Sequence, residues 1–201
     1  MAINLANNNS LANITALPSS ISGGAMTLLA TQTASGSANL SFTSGIDSTY
    51  DSYVFKFINI HPATDSVNFY VNFSVDGGSN YNVTKTTTWF YAYHNESGST
   101  SSLEYNAGLD LAQSTANQPL MENIGNDNDQ SGSGFMTLYN PSSTTFVKHF
   151  IATTQDVIHI NYTENAFISG YANTTSAINA VQFVMESGNI DSGVIKLYGV
   201  S

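Results

Sequence analysis

The segment Val67-Asn68-Phe69-Tyr70-Val71-Asn72-Phe73-Ser74-Val75 carries Val or Phe at every second position. A β-strand turns that period of two into one apolar face, because its side chains alternate between faces; a helix would scatter the same residues around its axis. The segment reads as a half-buried strand, so the chain needs a second apolar surface to cover it. Asp76-Gly77-Gly78-Ser79-Asn80 follows directly, with glycines suited to positive φ, and reads as a hairpin turn into the next strand.

Strand-like segments recur along the chain: 27–35, 38–46, 50–60, 86–95, 134–141, 144–154, 157–162, 166–173, 178–186 and 193–200. Gly, Asn and Ser punctuate them. No helix is convincing, although 103–125 has room for one short helical turn. About ten short strands with such turns predict an all-β protein, and the long connections at 95–118 and 122–134 suit a jelly-roll-like β-sandwich better than a meander. Val194 to Val200 would fray unless it pairs inside the sheet, so this last strand is expected between earlier ones, with Ile195, Leu197 and Gly199 on one face and Val194, Lys196, Tyr198 and Val200 on the other.

Composition supports the class and narrows the partners. The 201 residues include 23 Asn, 27 Ser and 21 Thr, side chains that favour turns and strands over helix interiors. The formal net charge is −10, and the basic residues are four lysines, Lys56, Lys85, Lys148 and Lys196, with no Arg. Such a chain cannot build the basic patch that nucleic acid or an anionic membrane surface demands, so neither is an expected partner. There is no Cys and hence no disulfide framework. No apolar run reaches the length of a membrane helix, and no basic-then-apolar secretory signal opens the chain. Sequons occur at about the frequency this composition gives by chance, so glycosylation is not inferred from them.

Residues 1–25 differ from the rest: they contain neither charged nor aromatic side chains, and they end in Ser22-Gly23-Gly24. Their aliphatics, Ile3, Leu5, Leu11, Ile14, Leu17 and Ile21, argue for an N-terminal arm laid on another surface rather than a solvated tail. The division expected is an arm over 1–25 and a sandwich domain over 26–201.

Chemistry-bearing motifs are sparse. Asp127 and Asp129 alternate with Asn126 and Asn128 as oxygen ligands for Ca²⁺ would, but the distal Glu of an EF-hand is absent, and a solvated turn is the preferred reading. The four histidines, His61, His94, His149 and His159, are dispersed, so no metal site is assigned. There is no Cys nucleophile, no G-x-S-x-G and no H-E-x-x-H, and Glu164 and Glu186 have no evident acidic partner. No catalytic residue, cofactor or enzymatic activity is therefore expected. Trp89, Phe90, Tyr91 and Tyr93 make one strand aromatic on both faces; Trp89, Tyr91 and Tyr93 are candidates for a protein interface, ahead of a sugar platform.

The segments "GIDSTYDSYVFKFINIHPATDSVNFYVNFSVDGGSNYN", "GNDNDQS", "YNPSSTTFVKHF" and "SGNIDSGVIKLYGV", in this order, resemble a family of tailed-bacteriophage structural proteins common in phages of aquatic bacteria. The resemblance runs from about residue 28 to the end. It implies a virion component with a β-sandwich fold, assembled in the host cytoplasm, and it transfers no catalytic residue. The leading expectation is a capsid decoration or cement protein; the second is a tail fibre or tail adaptor, with loops such as 95–118 contacting a glycan or another tail protein; the third, from another class, is a carbohydrate-active or lectin module. Other virion proteins are the expected partners, and a homo-oligomer, a trimer in particular, is the expected assembly.

Overall fold

A computed structural model describes residues 26–201. The arm expected over 1–25, with its candidate contact residues Ile3, Leu5, Leu11, Ile14, Leu17 and Ile21, lies outside the described residues. The described chain forms twelve strands and no helix: β1 (Thr27–Ser37), β2 (Leu40–Phe42), β3 (Ser52–Pro62), β4 (Val67–Ser74), β5 (Lys85–Asn95), β6 (Ser101–Tyr105), β7 (Gln118–Ile124), β8 (Gly132–Tyr139), β9 (Lys148–Ile158), β10 (Tyr162–Ala172), β11 (Ala180–Met185) and β12 (Ile190–Val200). All pairings are antiparallel, and the fold is an all-β sandwich. One layer runs β1-β12-β3-β8-β9-β10-β5-β6 and the other β7-β4-β11-β2; a single residue pair, Ile124 with Ile158, links them.

β12 lies between β1 and β3, as the closing-strand reading required. Ile195 and Leu197 are fully buried on one face, whereas Val194, Lys196, Tyr198 and Val200 are half-buried on the other. A bulge at Gly193 has φ 125°, and a Cβ there would meet Asn59 O at 2.7 Å, so only glycine fits without strain.

The core is aromatic. Phe183 of β11 packs edge-on against Phe42, Phe55 and Phe57 at 6.2, 5.3 and 5.2 Å between ring centroids, and stacks on Phe69 at 5.8 Å. Offset and edge-to-face pairs of this kind add to the area they bury.

Four expectations are corrected. β4 is not half-buried: Asn72 and Ser74 are as inaccessible as the Val and Phe between them. Both faces are covered, and the polar atoms are answered internally; Asn72 donates to Thr115 O at 3.1 Å and to Asn117 Oδ1 at 2.9 Å. The turn at 76–80 exists but does not join a hairpin. Asp76 accepts from the Asn80 backbone and side chain at 2.9 and 2.7 Å, while both edges of β4 are taken by β7 and β11, so β5 crosses to the other layer. Segment 103–125 forms no helix: it contributes β6 and β7, with a single hydrogen-bonded turn between them, Leu109 N–H to Asn106 O at 3.2 Å. Residues 157–162 are not a strand of their own but the tip of the β9–β10 hairpin, in which Asn161 takes a positive φ of 60°.

Candidate functional site

β9, β10 and β5 lie side by side, and their inner faces can be read in cross-strand rows. Lys148, Ala172 and Lys85 share the first row; Ala152, Ile168 and Trp89 lie in the middle; Asp156, Glu164 and Tyr93 share a row near the hairpin tip. The ends are about 26 Å apart, eight residues of β-strand.

At the lysine end both lysines are buried and each ammonium group has at least one acceptor. Lys85 Nζ donates to Asn72 Oδ1 at 2.6 Å and to Val83 O at 2.7 Å, and Lys148 Nζ donates to Thr174 O at 3.0 Å. Burial lowers the pKa of both, that of Lys85 to about 8.

The hairpin-tip end differs. Asp156 is 0 % exposed and Glu164 3 % exposed, and both oxygens of Asp156 and Oε1 of Glu164 lack any hydrogen-bond partner. Glu122 of β7 adds a third carboxylate, touched by Asn106 Nδ2 at 3.4 Å. Burial, then the negative charge of Glu164 and Glu122, holds the Asp156 carboxyl well above the usual range. Burial, then Glu122, pushes Glu164 up to about 8, and burial raises Glu122 as well. Unpaired buried acceptors of this kind are costly and uncommon in a folded chain.

Glu122 and Glu164, but not the fully buried Asp156, border a cleft of about 260 Å³, lined also by Tyr91, Tyr93, Thr100, Asn123, Ile158, Ile160 and Tyr162. Its wall is a ladder of rings: Tyr91 stacks on Tyr93 at 5.6 Å and Tyr93 on Tyr162 at 5.9 Å, each pair within 24° of parallel. Tyr91 and Tyr93 hydroxyls donate to the two oxygens of Glu104 at 3.4 and 3.3 Å. Burial and the surrounding carboxylates push the Tyr91 phenol up to about 12. Asn123, at a positive φ of 51°, donates its backbone N–H to Asn68 Oδ1 at 2.9 Å, which fixes the β7 end beside the cleft.

Of the predicted interface residues, Tyr91 and Tyr93 line this cleft half-buried. Trp89 is a correction: it is fully buried in the core and presents no surface, because its row lies on the inward face of the strand. The outward face carries a different aromatic group. Phe135, Thr153, Phe167, Phe90 and Tyr105 form one cross-strand row over β8-β9-β10-β5-β6, with Ile151 and Leu103 alongside. Phe90, Phe135 and Ile151 are 40–47 % exposed, and Phe90 stacks on Phe167 at 5.1 Å.

Asp127 and Asp129 sit in an exposed loop closed by its own backbone bond, Gln130 N–H to Asp127 O at 2.9 Å. Among the described residues no three of His, Asp and Glu gather to hold a metal ion, and the four histidines remain apart. His61 alone has an acidic neighbour, Asp191, at 3.5 Å. Glu164, read from sequence as lacking a partner, gains two acidic neighbours from the hairpin register and from β7.

No known family model matches the chain, and neither a curated protein nor a solved structure is similar to it.

Proposed function

We propose that this chain is a structural component of a tailed-bacteriophage virion that works through protein–protein contact and not through catalysis, with capsid decoration ahead of a tail role. The observation that carries the reading is the outward row of Phe135, Phe167, Phe90 and Tyr105 with Ile151 and Leu103. Soluble monomers seldom expose contiguous apolar patches of this breadth unless another surface covers them. The scarcity of charged side chains, the absence of Arg and the four quoted sequence segments support the same reading. The outward row is then the docking face for a neighbouring virion protein or another copy of the chain.

The direct test is copy number per particle: hundreds indicate the head, a few to dozens the tail. Phe90→Ser with Phe167→Ser should abolish particle binding while the isolated protein melts as before; retained binding would overturn the docking role of this face. Deleting residues 2–24 tests the arm in the same assay. The tyrosine-lined cleft favours a second reading, a tail fibre or adaptor, or a lectin-like module, that recognises a ligand; a glycan array with the isolated protein tests it.

A further inference from the structure

The cleft at the β9–β10 hairpin tip contains a feature that assembly through the outward face does not use. Three carboxylates, Asp156, Glu164 and Glu122, come from three strands, and two of them are at least nine-tenths buried with oxygens that no protein group satisfies. Glu164 lines the cleft, so its carboxyl borders a space that a ligand can enter, while its unpartnered Oε1 is itself buried. Around Glu164 stand Asp156 from β9, Tyr93 and Tyr91 from β5, Tyr162 from its own strand, Glu122 from β7 and Glu104 from β6. None is a base, and the two buried lysines occupy the far end of the same strands.

From this geometry we infer that the cleft is a receptor for an organic cation, an ammonium or guanidinium group on an apolar stem. Each part of the site answers one part of such a ligand. Glu164 and Glu122 accept its N–H groups through charge-assisted bonds and are relieved of their mutual repulsion. The faces of Tyr91, Tyr93 and Tyr162 attract positive charge, and Ile158 and Ile160 give the stem an apolar wall. A divalent metal fits less well, because among the described residues no three of His, Asp and Glu gather closely enough to hold one. A neutral sugar could meet the oxygens but would leave the carboxylates uncompensated.

The probes are N-acetyl-lysinamide and N-acetyl-argininamide, standing for a side chain of a partner protein, and putrescine, standing for a free amine; methyl glucoside is the neutral control. Calorimetry at pH 7 should detect binding of the cations with release of protons, since Glu164 must ionise to receive them, and affinity should rise toward pH 8. Glu164→Gln, which keeps shape and removes the charge, should weaken binding by about ten- to a hundredfold and abolish most of the proton release. Preference for the amides over putrescine assigns the site to a protein side chain, and the reverse to a free amine; either supports the inference. Binding of the glucoside alone, or cation binding that Glu164→Gln leaves unchanged, would overturn it. Since the outward-face variants leave this cleft intact, its failure is distinguishable from failure of the virion assignment.

Discussion

At one end of the ribbon formed by β9, β10 and β5, Lys148 and Lys85 flank Ala172; at the other, Asp156 and Glu164 face each other beside Tyr93. Both ends bury ionisable groups, and both displace their pKa values toward the neutral form, Lys85 and Glu164 each to about 8. They differ in completion. The ammonium groups have acceptors at 2.6–3.0 Å, whereas the deepest carboxylate oxygens have no donor. Burial of charge is thus not in itself a mark of function. The satisfied end behaves as architecture, tying the loops at 83 and 174 to the sheet, and the unsatisfied end is where a ligand has something to add.

The harshest way to break the comparison is to remove the sheet that holds both ends. Truncation after Gly193 deletes the buried Ile195 and Leu197, strips β1 of most of its only ladder and opens one edge of β3, whose other edge stays on β8. The loss exceeds about 5 kcal/mol, comparable with the stability of many whole domains, and the product should aggregate. A soluble fragment with a cooperative melt would show that β12 is dispensable. Next in size, Lys85→Ala should cost roughly 3 kcal/mol or more, from the cavity and from removing the ammonium that donates to Val83 O and to Asn72 Oδ1, the latter keeping only the Phe73 N–H; a neutral result in urea melts would mean the lysine end is not load-sharing architecture.

The pH dependence separates the ends by sign. Glu164 has a folded-state pKa raised from its ordinary 4.5 to about 8, so its contribution is fully present below about 4.5 and is lost as pH rises through about 8. Lys85 has a folded-state pKa lowered from 10.5 to about 8, so the cost of its burial falls as pH rises from about 8 to 10.5. Together these groups should place a minimum of thermal stability near pH 8. Glu164→Gln should melt like the parent at pH 4 and above it at pH 8, by several degrees; equal melting at both would remove the carboxylate half of the comparison. The smallest effect is expected outside the ribbon. Lys196, half-buried beside Lys56 across the β12–β3 ladder, should tolerate Gln within about 0.5 kcal/mol, a shift that differential calorimetry would barely register.

The sequence made the strands legible and the site nearly invisible, for one physical reason. Alternation reports which residues share a face, so the Ile195 and Leu197 face of β12 and the inward set of β3 could be read directly. Pairing partners are set by tertiary competition. The turn at 76–80 has every local hairpin feature, yet β7 and β11 had already occupied the edges of β4. The site depended on one such pairing. With residues 157–162 read as a strand, Asp156 and Glu164 were merely two acids in succession. Read as a hairpin tip at His159-Ile160-Asn161, the same residues are cross-strand neighbours. Asn161, able to take positive φ, was the available signal; Glu122, delivered by a distant strand, left none.

The position of β12 between β1 and β3 has a kinetic consequence. Thr27 pairs with Gly199, residues separated by 199 minus 27, or 172, positions, while β9 and β10 are joined through a tip of three residues, 159–161. Closing the longer loop costs an entropy of about 4–5 kcal/mol by the logarithmic scaling of loop size, and ladders of such range place sandwiches among the slow folders, in milliseconds to seconds. The hairpin that carries the carboxylates can therefore form early and the β12 ladder late. Leu197→Ala is then expected to speed unfolding and leave the folding rate near its original value. A slowed folding limb in the chevron would instead put β12 in the nucleus.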